Sequence, residues 1–155
     1  MFPQEKISKI ENEFGEDVIL IQSEPQVQFK VTSERLLEFA SFLKKEPSLE
    51  FDFLLFITAT DKKNHFEVVY GVRSMKSKEQ LMFKTEVPTH NPEVTSVTSV
   101  WDAANWDERE TYDLFGIIFK EHPNLKRILL PDNWEGHPLR KNIPLTARPK
   151  KVLEQ

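Results

Sequence analysis

Apolar residues recur at two periods along this chain, and the changes of period mark its elements. Ile7, Ile10 and Phe14 lie at helical spacing, with Pro3 suited to a first turn and Gly15 to the position just past the last, so a short amphipathic helix is predicted at the start. Residues 18–21 and 27–31 read as two short strands around a Gln22-Ser23-Glu24-Pro25 turn. Ser33 can then cap a second helix with Leu36, Leu37, Ala40 and Leu43 on one stripe, stopped by Pro47. Three longer apolar runs, 51–60, 66–72 and 81–87, are joined by Asp61-Lys62-Lys63-Asn64 and Ser74-Met75-Lys76-Ser77, connections of hairpin length. This order predicts an α+β fold: a mostly antiparallel sheet with helices on one face.

After Pro88 the periodicity weakens. Asp102 can cap a helix reaching about Phe115, with Gly116 as its terminator, and five prolines between Pro123 and Pro149 forbid a long helix or a central strand beyond it. The chain thus divides into an α+β domain over residues 1–119, which includes this acidic helix, and an extended, Pro-rich C-terminal tail over 120–155. The tail is expected to dock on a partner, and the core is expected from the periodic elements before Pro88. Charge follows the same division. Residues 93–113 hold six acids against Arg109 alone, whereas 120–155 hold eight Lys or Arg against four acids.

Composition narrows the function classes. At 155 residues and 39% hydrophobic content the chain can bury a single core. A net charge of -4 removes any general attraction to phosphate backbones, so nucleic acid is not expected as a partner. Without cysteine the chain offers no thiolates for a zinc site or an iron-sulfur cluster. The longest nearly apolar run, 51–59, contains Asp52 and falls short of the ~18 residues a transmembrane segment needs. The first 14 residues scatter their charges and lack the apolar stretch of a signal peptide, so a soluble intracellular protein is expected.

On the acidic helix, Asp107 with Glu110 and Glu110 with Asp113 share a face at i,i+3, as carboxylates of an acid-base or metal site would. The competing reading is a charge network for structure or partner binding, in which Arg109 and Asp113 pair at i,i+4. We favour it, because the Glu-x-x-His pairs of a helical di-iron centre are absent. His65, His90, His122 and His137 are scattered, and hydrogen bonds to backbone or partner groups are expected of them rather than metal ligation. Four separated glycines make no nucleotide loop, and no G-x-S-x-G marks a nucleophile. No catalytic, metal or cofactor-binding residue is therefore assigned, and no cofactor is expected to be bound by this chain. Trp101, Trp106, Trp134, Tyr112, Phe115 and Phe119 concentrate aromatics in the second half, to be shared between core and interface. Leu139-Arg140-Lys141 puts apolar and cationic groups on a proline-stiffened path suited to wrapping over another subunit.

The densest packet is Glu108-Arg109-Glu110, Asp113-Leu114-Phe115, His122, Lys126-Arg127 and Ile128-Leu129, flanked by Ala104-Asn105-Trp106 and by the run 130–141 with Trp134, Arg140 and Lys141. In residues and spacing it resembles the motif of the C subunit of NADH:quinone oxidoreductases, the thirty-kilodalton subunit family of respiratory complex I, over roughly the last third of the chain. The resemblance implies a structural subunit of the peripheral arm, a hetero-oligomer with the large quinone-site subunit and its neighbours. It implies a peripheral position on the cytoplasmic face of the membrane, or the equivalent side of an organelle membrane. Electron transfer from NADH to quinone, with proton translocation, then belongs to the whole complex, and Glu108, Arg109, Glu110, Asp113, His122, Lys126, Arg127, Trp134, Arg140 and Lys141 become the motif and interface residues. The chain's end soon after Arg148 implies a stand-alone subunit rather than a fusion. Two alternatives remain: the equivalent subunit of a membrane-bound hydrogenase or other-donor relative, and a small stand-alone enzyme using Glu108, Glu110 and Asp113.

Overall fold

The computed structural model describes residues 1–143; residues 144–155, with Pro144, Arg148 and Pro149, lie outside the described residues. Helix α1 (Gln4–Phe14) leads through a single turn of 3-10 helix into β1 (Val18–Gln22) and β2 (Val27–Val31). Helix α2 (Leu36–Lys45) precedes three long strands, β3 (Phe53–Asp61), β4 (His65–Arg73) and β5 (Gln80–Pro88). The sheet order is β1-β2-β5-β4-β3, antiparallel at every joint except β2 with β5, which run parallel. The expected α+β fold and the β3-β4-β5 meander are both present.

Alternation explains the core. Val27, Phe29 and Val31 on β2, Leu81 and Phe83 on β5, and Phe66, Val68, Tyr70 and Val72 on β4 all turn to one face and are buried there. Ile7, Ile10 and Phe14 of α1 join them, with Leu36, Phe39, Ala40 and Leu43 of α2. Phe39 is the centre of this layer, its ring 5.3 Å from that of Phe14, 5.2 Å from Phe83 and 6.2 Å from Phe29. The α2 stripe thus runs through Phe39 rather than Leu37, which is only half-buried. Ser33 does not cap α2: it opens a short 3-10 turn, and Arg35 occupies the N-cap position without a capping side-chain bond. On the opposite face Gly71 makes room for Phe56 across the strand pair, since a Cβ at Gly71 would lie 2.4 Å from that ring.

The core does not stop at Pro88, contrary to the expectation. Val94 on β6 (Glu93–Thr95) and Phe119 on β7 (Ile118–Lys120), two short parallel strands, are buried, as are Val97, Trp101, Ala104, Phe115 and Ile117. Trp101 donates its indole N–H to the Phe51 carbonyl at 3.0 Å, stitching this second half to the first. Helix α3 (Ala104–Phe115) starts after Ala103, not on an Asp102 cap, and ends as expected at Gly116. It lies along β3, an edge strand bonded only to β4, and the Asp107 carboxylate accepts the Ile57 amide at 3.0 Å. A free sheet edge is thereby covered from within the chain.

Candidate functional site

Helix α3 has more polar groups on its buried side than a helix of its length can hide without partners, and the partners come from the segment that follows it. Asp113 is fully buried. Its Oδ2 accepts the consecutive backbone amides of Ile128, Leu129 and Leu130 at 3.1, 2.8 and 2.9 Å, and its Oδ1 accepts Arg127 Nη1 at 2.7 Å. Burial alone would raise the pKa of this carboxyl. The amides of Leu130 and Leu129, the Arg127 guanidinium and the Ile128 amide outweigh burial and hold it below the ordinary value, so Asp113 is an anion clasped by its own chain.

The C-terminal end of α3 is closed the same way. Four helix-end carbonyls normally lack partners, and the helix dipole leaves them partly negative. Here the Asp113 carbonyl accepts His137 Nδ1 at 2.9 Å, the Leu114 carbonyl accepts the Leu139 amide at 3.0 Å, and the carbonyls of Phe115 and Gly116 accept Arg140 Nε and Nη2. Arg127 Nη2 reaches on to the Gly136 carbonyl at 2.8 Å. Gly116 has φ 74°, and a Cβ there would sit 2.5 Å from the His137 ring and 2.6 Å from Arg140, so glycine is required by both backbone and space. Burial, ahead of the nearby Arg127 and Arg140, lowers the His137 pKa and keeps its ring neutral with the proton on Nδ1.

Glu108 occupies a second interior position. Its Oε1 accepts the Val97 amide at 2.7 Å and its Oε2 the Ser96 hydroxyl at 2.6 Å, with no solvent exposure. Burial outweighs both hydrogen bonds and raises its pKa to about 7. Burial, with the charge of Glu108 second, also pushes the Tyr70 phenol well up. His122 Nδ1 accepts the Asn124 amide at 3.0 Å, and Nε2 lies 3.0 Å from the Asn105 carbonyl, to which it donates. Glu108 Oε2 is 4.0 Å from that same nitrogen.

Arg109 does not pair with Asp113. Residues i and i+4 share a helix face, but Asp113 is committed inward to Arg127, and Arg109 instead donates to the carbonyls of Lys126 and Arg127 at 3.1 and 3.2 Å while its guanidinium lies 5.3 Å from the Trp106 ring. Lys126 contributes its carbonyl and keeps its side chain exposed. Trp134 is half-buried in a turn closed by its amide on the Pro131 carbonyl. The Lys141 amide reaches Asp61 Oδ2 at 2.8 Å at the end of β3. Thus Glu108, Asp113, His122, Arg127 and Arg140 assemble around α3, Arg109, Lys126 and Lys141 tie residues 126–141, a strap over the helix, through backbone groups, and Glu110 stays exposed. Both tail histidines bond to backbone carbonyls as expected. Of the six aromatics, Trp101, Phe115 and Phe119 belong to the core, and Trp106 is 61% exposed.

Sequence reasoning missed Asp61, Ser96 and the three amides after Arg127, none of which has a motif of its own. It also missed His65, Glu67 and Glu86, whose ligand-capable atoms lie within 4.8 Å of one another through the β4-β5 register. Lysines already occupy that cluster: Lys84 lies 2.7 Å from Glu67 and Lys30 2.8 Å from Glu86.

The fold and site together define an α+β domain whose carboxylate-rich helix is bonded to the basic segment that follows it in the same chain. The chain belongs to the respiratory-chain NADH dehydrogenase 30 kDa subunit family, whose model matches residues 29–149. It is 48% identical over 120 residues to the C subunit of the NADH-quinone oxidoreductase of a Roseiflexus species, covering 76% of this chain and 69% of that one. To the corresponding C subunit of Geobacter metallireducens it is 39% identical over 144 residues, covering 90% and 88%. Among solved structures, a trypsin-resistant fragment of Nqo5 superposes with a TM-score of 0.68 at 26% identity, covering 79% of this chain and 98% of the fragment. A chain of the membrane-bound sulfane sulfur reductase, an archaeal respiratory membrane complex, shares the fold with a TM-score of 0.79 at 23% identity, covering 92% and 86%.

Proposed function

We propose that this chain is a structural subunit of a NADH:quinone oxidoreductase, holding no redox group and supporting assembly of the quinone-reducing module beside the large quinone-site subunit. Its place is then peripheral, on the side of the membrane where NADH is oxidised, and no helix among the described residues is long and apolar enough to cross a membrane. The observation that carries this reading is the state of the motif carboxylates. Glu108 and Asp113 are both withdrawn from solvent with their oxygens bonded inside the chain, so neither can meet a substrate, and only Glu110 of the three remains exposed. What the clasp displays is a surface: Trp106, Leu129 and Leu139 are 61%, 61% and 48% exposed around it, the kind of aromatic and aliphatic anchors that interface centres favour.

Affinity purification of the tagged full chain from solubilised native membranes tests this. Recovery of a stoichiometric set of other subunits with NADH:quinone activity is expected, with no turnover from the isolated chain. Recovery of the chain alone, or a stoichiometric flavin or metal in the isolated chain, would overturn the reading.

A further inference from the structure

At the far end of β3 the strap leaves a pocket of about 480 Å³, lined by Asp61, Lys63, Phe66, His90, Arg140 and Lys141 with Thr89 and Asn142. Its acceptor is already spent. Asp61 Oδ1 accepts the Lys63 amide at 2.7 Å and Oδ2 the Lys141 amide at 2.8 Å, and although burial opposes it, these amides, with the nearby charges of Lys141 and Arg140, hold the Asp61 carboxyl below its ordinary value. Its two lysine ammoniums keep their hydrogen-bond donors. Among the described residues no hydrogen bond or ion pair engages the ammonium of Lys63 or of Lys141, and Arg140 lies over the Phe66 ring at 5.3 Å with two of its nitrogens on helix-end carbonyls. The pocket therefore offers two lysine ammoniums beside a carboxylate whose oxygens are already bonded.

We propose that this pocket receives a carboxylate-bearing segment of a neighbouring subunit, with Lys63 and Lys141 pairing to Asp or Glu side chains. The inference rests on the subunit reading above and names a surface through which it would act. Charge favours an acidic peptide over an anionic membrane: the whole chain carries a net charge of -4, so a negative lipid surface repels it at long range while a local cationic pocket still recognises an acidic segment at contact. The residues after Ile143 carry Arg148, Lys150 and Lys151 against Glu154 alone, so this chain's own end is poorly matched to a cationic pocket.

A carbodiimide joins lysine amines directly to carboxylates in contact with them, so treating the purified complex with one and mapping the new amide bonds by mass spectrometry is the test. Links from Lys63 or Lys141 to Asp or Glu of another subunit are expected. In the Lys63→Gln/Lys141→Gln variant, which keeps both backbone bonds to Asp61, those links disappear, and retention of the chain in the complex at raised salt falls by ~5-fold, the scale of two exposed ion pairs. A complex that co-purifies intact with no such link to another subunit, or with Lys63 and Lys141 joined only to Glu154 of this chain, overturns the pocket but leaves the subunit reading standing. Failure to recover any complex defeats the subunit reading first. Binding of equimolar phosphatidylcholine and phosphatidylserine vesicles by the wild-type chain, lost in the Gln variant without any intersubunit link, would assign the pocket to lipid and refute the proposal.

Discussion

Phe39 and Asp113 are both completely withdrawn from solvent, yet they hold their surroundings by opposite means. Phe39 sits between α2 and the sheet among other rings, and nothing about it depends on charge or on one fixed partner atom. Asp113 sits at the end of α3 and is worth what its four donors make of it: three consecutive amides and one guanidinium. The first region is ordered by removal of apolar area from water, which tolerates small shifts and is spread over many residues. The second is ordered by point contacts between a buried anion, helix-end carbonyls and a strap that buries little apolar surface of its own. Such contacts fix geometry tightly but fail individually, because a lost partner leaves a buried charge or dipole unpaired.

The two regions should therefore fail differently. Phe39→Ala should cost ~3–5 kcal/mol and lower every probe of folding together, as cavity formation in a shared core does; thermal melting followed by far-UV and near-UV dichroism would read one coincident transition. Asp113→Ala should cost a similar ~3–5 kcal/mol locally, since Arg127 loses its buried partner, but the loss should concentrate in residues 126–140 and spare β4 and β5. Limited proteolysis checks this: cleavage in the strap should precede any in the sheet.

Glu108 supplies a test by pH. Its folded-state pKa is raised from 4.5 to about 7, so the stability it confers is complete below 4.5, declines as pH rises to about 7 and is flat above that, a span of ~3 kcal/mol at most. Asp113 has the opposite sign: its pKa is lowered from 3.8, so its contribution is present above 3.8 and is lost as pH falls through the depressed folded value. Denaturant melts of wild type and Glu108→Gln between pH 4 and 8 should show wild type losing stability across 4.5–7 and the Gln variant losing much less. The smallest effect is expected for Arg109→Ala, whose half-exposed guanidinium bonds two carbonyls that water can also reach; under about 1 kcal/mol should be lost, measured as a small change in Tm.

These regions differed equally in how far the sequence disclosed them. The meander could be read because β3, β4 and β5 are nine residues long and alternate, and because hairpin-length connections leave few choices of neighbour. Val94 was not foreseen as core, and Phe119 only as one of six aromatics to be divided between core and interface, since strands of three residues carry no period to detect. On α3 the motif drew attention to the right side chains but paired them by helical proximity, giving Arg109 to Asp113. The true partner, Arg127, lies 14 residues away, and the three amides that complete the site belong to backbone of any sequence. Burial of Glu108 was hidden for a related reason: its donors, Ser96 and the Val97 amide, come from an irregular turn before the helix.

Whether α3 spends its carboxylates on holding this chain's own strap can be read by amide hydrogen exchange on the full chain, in wild type and in Asp113→Ala. In wild type the amides of Ile128, Leu129 and Leu130 should be protected despite their near-surface position, and the variant should lose this protection together with that of Leu139 while β4 and β5 amides exchange as before. Fast exchange at 128–130 in the wild-type chain, or unchanged protection there in the variant, would contradict the clasp.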